Sequence, residues 1–119
     1  MSNINVISTE DLKTRLDEGG KLEFWNVLTD EYFNGEFIPG SRRVALDQVG
    51  REVSSTNLPK DTEIITYCGG PKCPQSAQAA EKLTTLGFTN VKAYEGGLQE
   101  WKEAGYSIEK PEATSTATA

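Results

Sequence analysis

The stretch I-I-T-Y-C-G-G-P-K-C-P-Q-S-A-Q-A-A, residues 64 to 80, decides the fold of this chain. Ile64, Ile65 and Tyr67 favour a strand, Gly69 and Gly70 allow backbone conformations closed to other residues, and Pro74 suits the first turn of a helix. The segment therefore reads as a buried strand over residues 63–68, a short loop, and a helix over residues 74–86. Cys68 falls where strand gives way to helix N-terminus. Loop amides and the positive end of a helix dipole at such a place lower a thiol pKa and favour the nucleophilic thiolate. A free cysteine at a strand end is also, more plainly, a small buried hydrophobe.

Outward from that segment, strand and helix signals alternate, which predicts an α/β domain. Residues 4–7 read as a short strand. Ser8 followed by Asp11 resembles a capping box opening a helix over residues 9–17, which Gly19 and Gly20 end. A second strand is expected over residues 22–27, a helical turn over 30–33, a strand over 42–45 and a brief helix over 46–49. Residues 50–62 are polar, carry Pro59 and read as a surface connection. In the helix after the loop, Ala77, Ala80, Leu83 and Leu86 recur at helical spacing beside Ala79, forming a face to pack on a sheet. A last strand over residues 90–94 and a helix over 98–104 follow. Trp25 and Trp101 are read as packing residues, and Asp11, Glu81 and Glu100 as solvated helix-face residues. From about residue 110 the composition P-E-A-T-S-T-A-T-A predicts a disordered tail, leaving residues 1–109 as one domain.

The charge balance narrows the partners. Twelve Lys and Arg against eighteen Asp and Glu give a net charge of −6, and the one basic pair is Arg42 and Arg43. Neither nucleic acid nor an anionic membrane is expected as a partner. The opening M-S-N-I-N-V-I-S has no basic region followed by a long apolar run, so a cytoplasmic protein is expected. With no histidine anywhere, Ser-His-Asp and Cys-His mechanisms fall away. Two thiols five positions apart supply half a tetrahedral zinc site, so no metal is expected.

Within the loop, Lys72 can steer an anionic substrate or steady a thiolate, or simply be solvated. Ser76 can bond a sulfur species or satisfy the helix end. Cys73 is a bystander or a resolving thiol, and spacing alone does not decide, because a disulfide needs specific Cβ geometry.

The ordered set Asn26-Val27-Leu28, I-P-G-S at 38–41, L-P-K-D at 58–61, Y-C-G-G at 67–70, S-A-Q-A-A-E-K-L at 76–83, L-G-F-T-N-V at 86–91 and E-G-G-L-Q-E-W at 95–101 resembles a single-domain rhodanese-like protein over roughly residues 5–108. The resemblance implies a three-layer α/β fold with a central, mainly parallel sheet flanked by helices. It also implies a sulfurtransferase that carries sulfane sulfur as a persulfide on Cys68, taken from a donor such as thiosulfate and passed to cyanide or a thiol, a protein thiol included. Gly69, Gly70, Pro71, Lys72, Cys73, Pro74, Gln75 and Ser76 would then form the substrate-binding loop. No cofactor follows from this chemistry.

Three departures stand out. Asn26-Val27-Leu28 replaces the usual Asp-Val-Arg, Phe37 stands where a histidine commonly precedes Ile-Pro-Gly, and the loop is longer than usual, lacks its arginine and includes Cys73 in a C-x-G-P-x-C pattern. Two further readings stay open: a non-catalytic rhodanese-like binding module, and a redox switch built on Cys68 and Cys73. Phosphatase chemistry is disfavoured because no arginine follows Cys68 to clamp a phosphate.

Overall fold

The computed structural model describes residues 5–29, 31–33, 35–70 and 72–109. Pro71, Asp30 and the expected tail lie outside them. The elements in chain order are β1 (Asn5–Val6), α1 (Thr9–Glu18), β2 (Glu23–Asn26), β3 (Arg42–Arg43), a 3-10 turn (Leu46–Gln48), α2 (Val49–Thr56), β4 (Ile64–Tyr67), α3 (Gln75–Thr85), β5 (Val91–Tyr94) and α4 (Gly97–Glu103). The five strands form one sheet in the order β1-β5-β4-β2-β3, parallel throughout. This is the α/β architecture that the alternating pattern predicts.

A central parallel strand is covered on both faces and therefore reads as a continuous apolar run. Strand β4 is that strand: all four residues are buried, and they serve the two faces alternately. Ile64 joins Trp25, Val27, Val49, Val53, Ala79, Ala80 and Leu83 under α2 and α3. Ile65 and Tyr67 join Leu12, Phe24, Leu28, Tyr94 and Trp101 under α1 and α4. Both tryptophans lie in the core, whereas Asp11, Glu81 and Glu100 are exposed.

The α1 entry follows its sequence signal, with Ser8 Oγ accepting from the Asp11 amide at 3.1 Å. Residues 50–62 do not. Their first half is helix α2, which the polar composition hides. Val49 and Val53, one helical turn apart, are buried against the sheet, and Asn57 ends the helix at φ 53 by donating its amide to the Val53 carbonyl at 3.0 Å. Arg42 reaches from β3 to Glu52 of α2 at 2.7 Å and fastens the helix to the sheet edge. The buried face of α3 is also rotated from the expected one. Ser76, Ala79, Ala80 and Leu83 face inward, while Leu86, beyond the helix end, is 39% exposed.

Register brings one end of the sheet into line. Tyr67 is level with Asn26 on one side and Tyr94 on the other, so β2, β4 and β5 finish together. Loops leaving the carboxyl ends of parallel strands are where α/β proteins place their sites. Cys68 is the first residue past that edge.

Candidate functional site

Three segments converge beyond the sheet edge: the loop after β4, the N-terminus of α3 and the N-terminus of α4. The loop is held from both sides. Leu98 and Gln99 of α4 donate their amides to the carbonyls of Cys68 and Gly69 at 3.0 and 2.9 Å. On the α3 side, the Thr66 hydroxyl donates to the Ser76 carbonyl at 2.9 Å, tying the first turn of the helix to β4. Gly97 makes the close approach possible. At φ 59 it packs on the loop backbone, and a Cβ there would overlap the Cys68 carbonyl oxygen and lie 2.7 Å from the Gly70 nitrogen.

Cys68 is fully buried. Its thiol donates to the Cys73 carbonyl oxygen at 3.3 Å. Burial foremost, then the Cys73 side chain, pushes the thiol up to about 11, against the Ser76 amide and hydroxyl, which pull it down. The resting thiol is thus harder to ionise than a free cysteine, opposite to the expectation drawn from the helix dipole alone. Desolvation outweighs the dipole because the sulfur lies beneath the loop, away from water.

Ser76 Oγ is buried as well, and among the described residues it has no hydrogen-bond partner of good geometry. An unsatisfied buried hydroxyl beside a sulfur is costly unless something polar completes it.

In front of this pair lies an open groove of about 930 Å3. Gly69, Gly70, Lys72, Cys73, Pro74 and Gln75 line it, so most of the expected loop residues do meet there, with Lys72 exposed. Cys68 and Ser76 stand behind the lining. The thiol bordering the groove is that of half-buried Cys73, whose amide donates to the Gly70 carbonyl at 3.0 Å. Gln75 is committed elsewhere: its side-chain carbonyl accepts from the Thr29 amide at 3.0 Å, and its amide donates to the Thr29 hydroxyl at 3.1 Å. It acts as a clamp between α3 and the segment after β2.

Sequence reasoning missed the far wall. Tyr32, Glu36, Leu98, Gln99, Lys102 and Glu103 line the groove, and Lys102 pairs with Glu36 at 2.9 Å within that wall. The signal present was the double glycine of E-G-G-L-Q-E-W, since Gly97 is what lets α4 pack on the loop.

The departures at Asn26, Leu28 and Phe37 have local explanations. Asn26 is fully buried; its side-chain oxygen accepts from the Leu28 amide at 3.0 Å and its Nδ2 donates to the Tyr67 hydroxyl at 3.3 Å. That hydroxyl also accepts from the Ile38 amide at 2.9 Å and lies 2.6 Å from Ser41 Oγ. Ser41 Oγ itself donates to the Ile38 carbonyl, so the Tyr67 proton points to Ser41 and every member is satisfied. A neutral amide thus suffices to lock the strand end. Arg43, with its head on the Leu28 carbonyl and 4.0 Å from the Phe33 ring, places a guanidinium near that end from β3. Phe37 exchanges backbone hydrogen bonds with Glu109 at 2.9 and 2.8 Å.

The family model of the rhodanese-like domain matches residues 8–104. Among solved structures, a rhodanese-like domain from Anabaena is 28% identical with a TM-score of 0.78, the match covering 98% of this chain and 88% of that one. A rhodanese from E. coli, solved with anions, is 26% identical with a TM-score of 0.58, covering 75% of this chain and 98% of that one. A thiosulfate sulfurtransferase from Pseudomonas aeruginosa is 20% identical with a TM-score of 0.78, covering 90% of this chain and 20% of that one, and shares the fold. No curated protein matches the chain.

Proposed function

The chain belongs to the rhodanese-like family, and from that premise we propose that it is a sulfurtransferase carrying sulfane sulfur as a persulfide on Cys68. The observation that supports this most is the pairing of a buried thiol with the Ser76 amide and hydroxyl at the start of α3, the hydroxyl lacking a hydrogen bond of good geometry among the described residues. A second sulfur on Cys68 would give that hydroxyl something to bond.

The chemistry runs in two displacements. Cys68 loses its proton to water that enters with the donor, and its thiolate attacks the outer sulfur of a donor such as thiosulfate. A new S–S bond forms, the donor's own S–S bond breaks, and sulfite leaves with the electron pair. Loop amides and the α3 N-terminus stabilise the negative charge on the terminal sulfur. An acceptor thiolate or cyanide then takes that sulfur and restores Cys68. The C-x-G-P-x-C loop offers Lys72 at the groove, in place of an arginine, to draw in an anionic donor.

Intact-mass analysis after thiosulfate treatment tests the reading: a gain of one sulfur atom, mapping to Cys68 and absent from Cys68→Ser, is expected. Unmodified protein under turnover conditions would instead favour the non-catalytic binding module.

A further inference from the structure

Cys68 presents a problem of access that grows with the size of the partner: an anion of a few atoms needs little room to reach the sulfur, a peptide-linked thiol needs much more. Its side chain has no exposed surface and does not border the groove, whereas Cys73, five residues on, does. The groove is also far larger than the small donors and acceptors a persulfide needs. At about 930 Å3 it approaches the upper end of ordinary ligand pockets, about 300–1,000 Å3, where thiosulfate or cyanide would fill a corner. Its walls are mixed. Leu28, Leu98 and exposed Tyr32 offer apolar surface, Gln78 and Gln99 offer amides, and Lys72 offers a charge. Apolar, amide and charged groups interspersed around a space of this volume suit a peptide more than an inorganic ion.

We propose that Cys73 is a second sulfur carrier, which takes sulfane sulfur from Cys68 and delivers it to a peptide-linked cysteine thiol bound in the groove. The proposal rests on the sulfurtransferase reading of Cys68. The two cysteines meet within one loop: the Cys68 thiol bonds the Cys73 carbonyl at 3.3 Å, and Cys73 packs against the buried cluster to which Cys68 belongs. The Cys73 thiolate attacks the outer sulfur of Cys68–S–SH. The bond from that sulfur to Cys73 forms, the bond to Cys68 breaks, and Cys68 leaves as thiolate and regains the proton that Cys73 gave up. The acceptor thiolate then attacks the outer sulfur of Cys73–S–SH, leaving the Cys73 thiolate and an acceptor persulfide. No net oxidation occurs and no co-reactant is needed. Attack on the inner sulfur would instead expel sulfide and close a Cys68–Cys73 disulfide.

The test needs no variant at first. Wild-type protein is loaded with thiosulfate, quenched with an alkylating reagent over a time course, and mapped by peptide mass spectrometry. Sulfur is expected on Cys68 first and on Cys73 afterwards, and addition of a cysteine-containing octapeptide should clear Cys73 before Cys68. Reduced glutathione in a parallel arm separates a small peptide thiol from a longer segment as the preferred acceptor. In Cys73→Ser, the rate of discharge to the better peptide thiol relative to cyanide should fall at least about tenfold. Sulfur confined to Cys68 in the wild type, a ratio unchanged in Cys73→Ser, or conversion to the disulfide with release of sulfide would each overturn the relay. Failure to find sulfur on Cys68 in either protein would overturn the sulfurtransferase reading beneath it, a different result from sulfur found on Cys68 alone.

Discussion

The Leu98 amide donates to the Cys68 carbonyl oxygen at 3.0 Å, so the first turn of α4 holds the very residue on which the proposed chemistry depends. The contact requires the two backbones to approach within van der Waals distance, and Gly97 is what lets them. A methyl group at that position would enter space held by the Cys68 carbonyl and the Gly70 nitrogen, both backbone atoms that cannot swing aside.

Gly97→Ala is therefore expected to lower stability in urea unfolding by about 2 kcal/mol or more, combining the left-handed backbone cost with overlap. Gly105→Ala supplies the control. Its φ is 87 but nothing lies within 4 Å of a Cβ there, so only the backbone cost, about 1 kcal/mol, applies. Equal losses in the two variants would show that the packing of α4 on the loop carries no weight.

A second expectation concerns pH. The Cys68 thiol, pushed up to about 11 chiefly by burial, ionises later in the folded chain than in the unfolded one. Its contribution to stability is fully present below the unfolded pKa of about 8.5 and is lost as pH rises through the folded value. Residue-resolved alkylation with iodoacetamide should thus keep accelerating at Cys68 up to about pH 11. Cys73→Ser should move that profile to lower pH, because the Cys73 side chain is the next cause of the shift. A plateau at about pH 8.5, where a free cysteine titrates, would mean the thiol is not desolvated at rest.

How far the sequence reveals this site depends on whether its signals are local. Strand β4, the glycine loop and α3 each carry their signal within a few residues, and Cys68 is found by reading them in order. Helix α2 was hidden because its evidence is two valines among polar residues, visible only as an i, i+4 pair against a sheet not yet assembled. The groove wall from Tyr32, Glu36 and Lys102 is a product of tertiary convergence, with a Lys102–Glu36 pair that bridges 66 residues of chain. The Cys68 pKa failed for a similar reason. Helix-dipole reasoning sees the local N-terminus, whereas desolvation depends on what the whole fold lays over the sulfur.

Gln75 offers a sharper test of electrostatics at the groove, because its side chain can be charged without breaking its hydrogen bonds. In Gln75→Glu one carboxylate oxygen still accepts from the Thr29 amide, and the other accepts from the Thr29 hydroxyl, which turns from acceptor to donor. An acidic residue in the first turn of α3 also suits the helix dipole, so the thermal midpoint should hold or rise slightly. The new charge nevertheless stands on the wall through which an anionic donor must pass. Sulfur loading from thiosulfate should slow by about tenfold at low ionic strength and recover substantially in salt, where charges beyond about 10 Å are screened. Alkylation of Cys68 by neutral iodoacetamide should slow less, since only the thiolate and not the reagent meets the charge. Equal slowing of both reagents, unaffected by salt, would indicate that the Thr29 clamp had been disturbed, and an unchanged thiosulfate rate would mean that the donor reaches Cys68 by a path away from this wall.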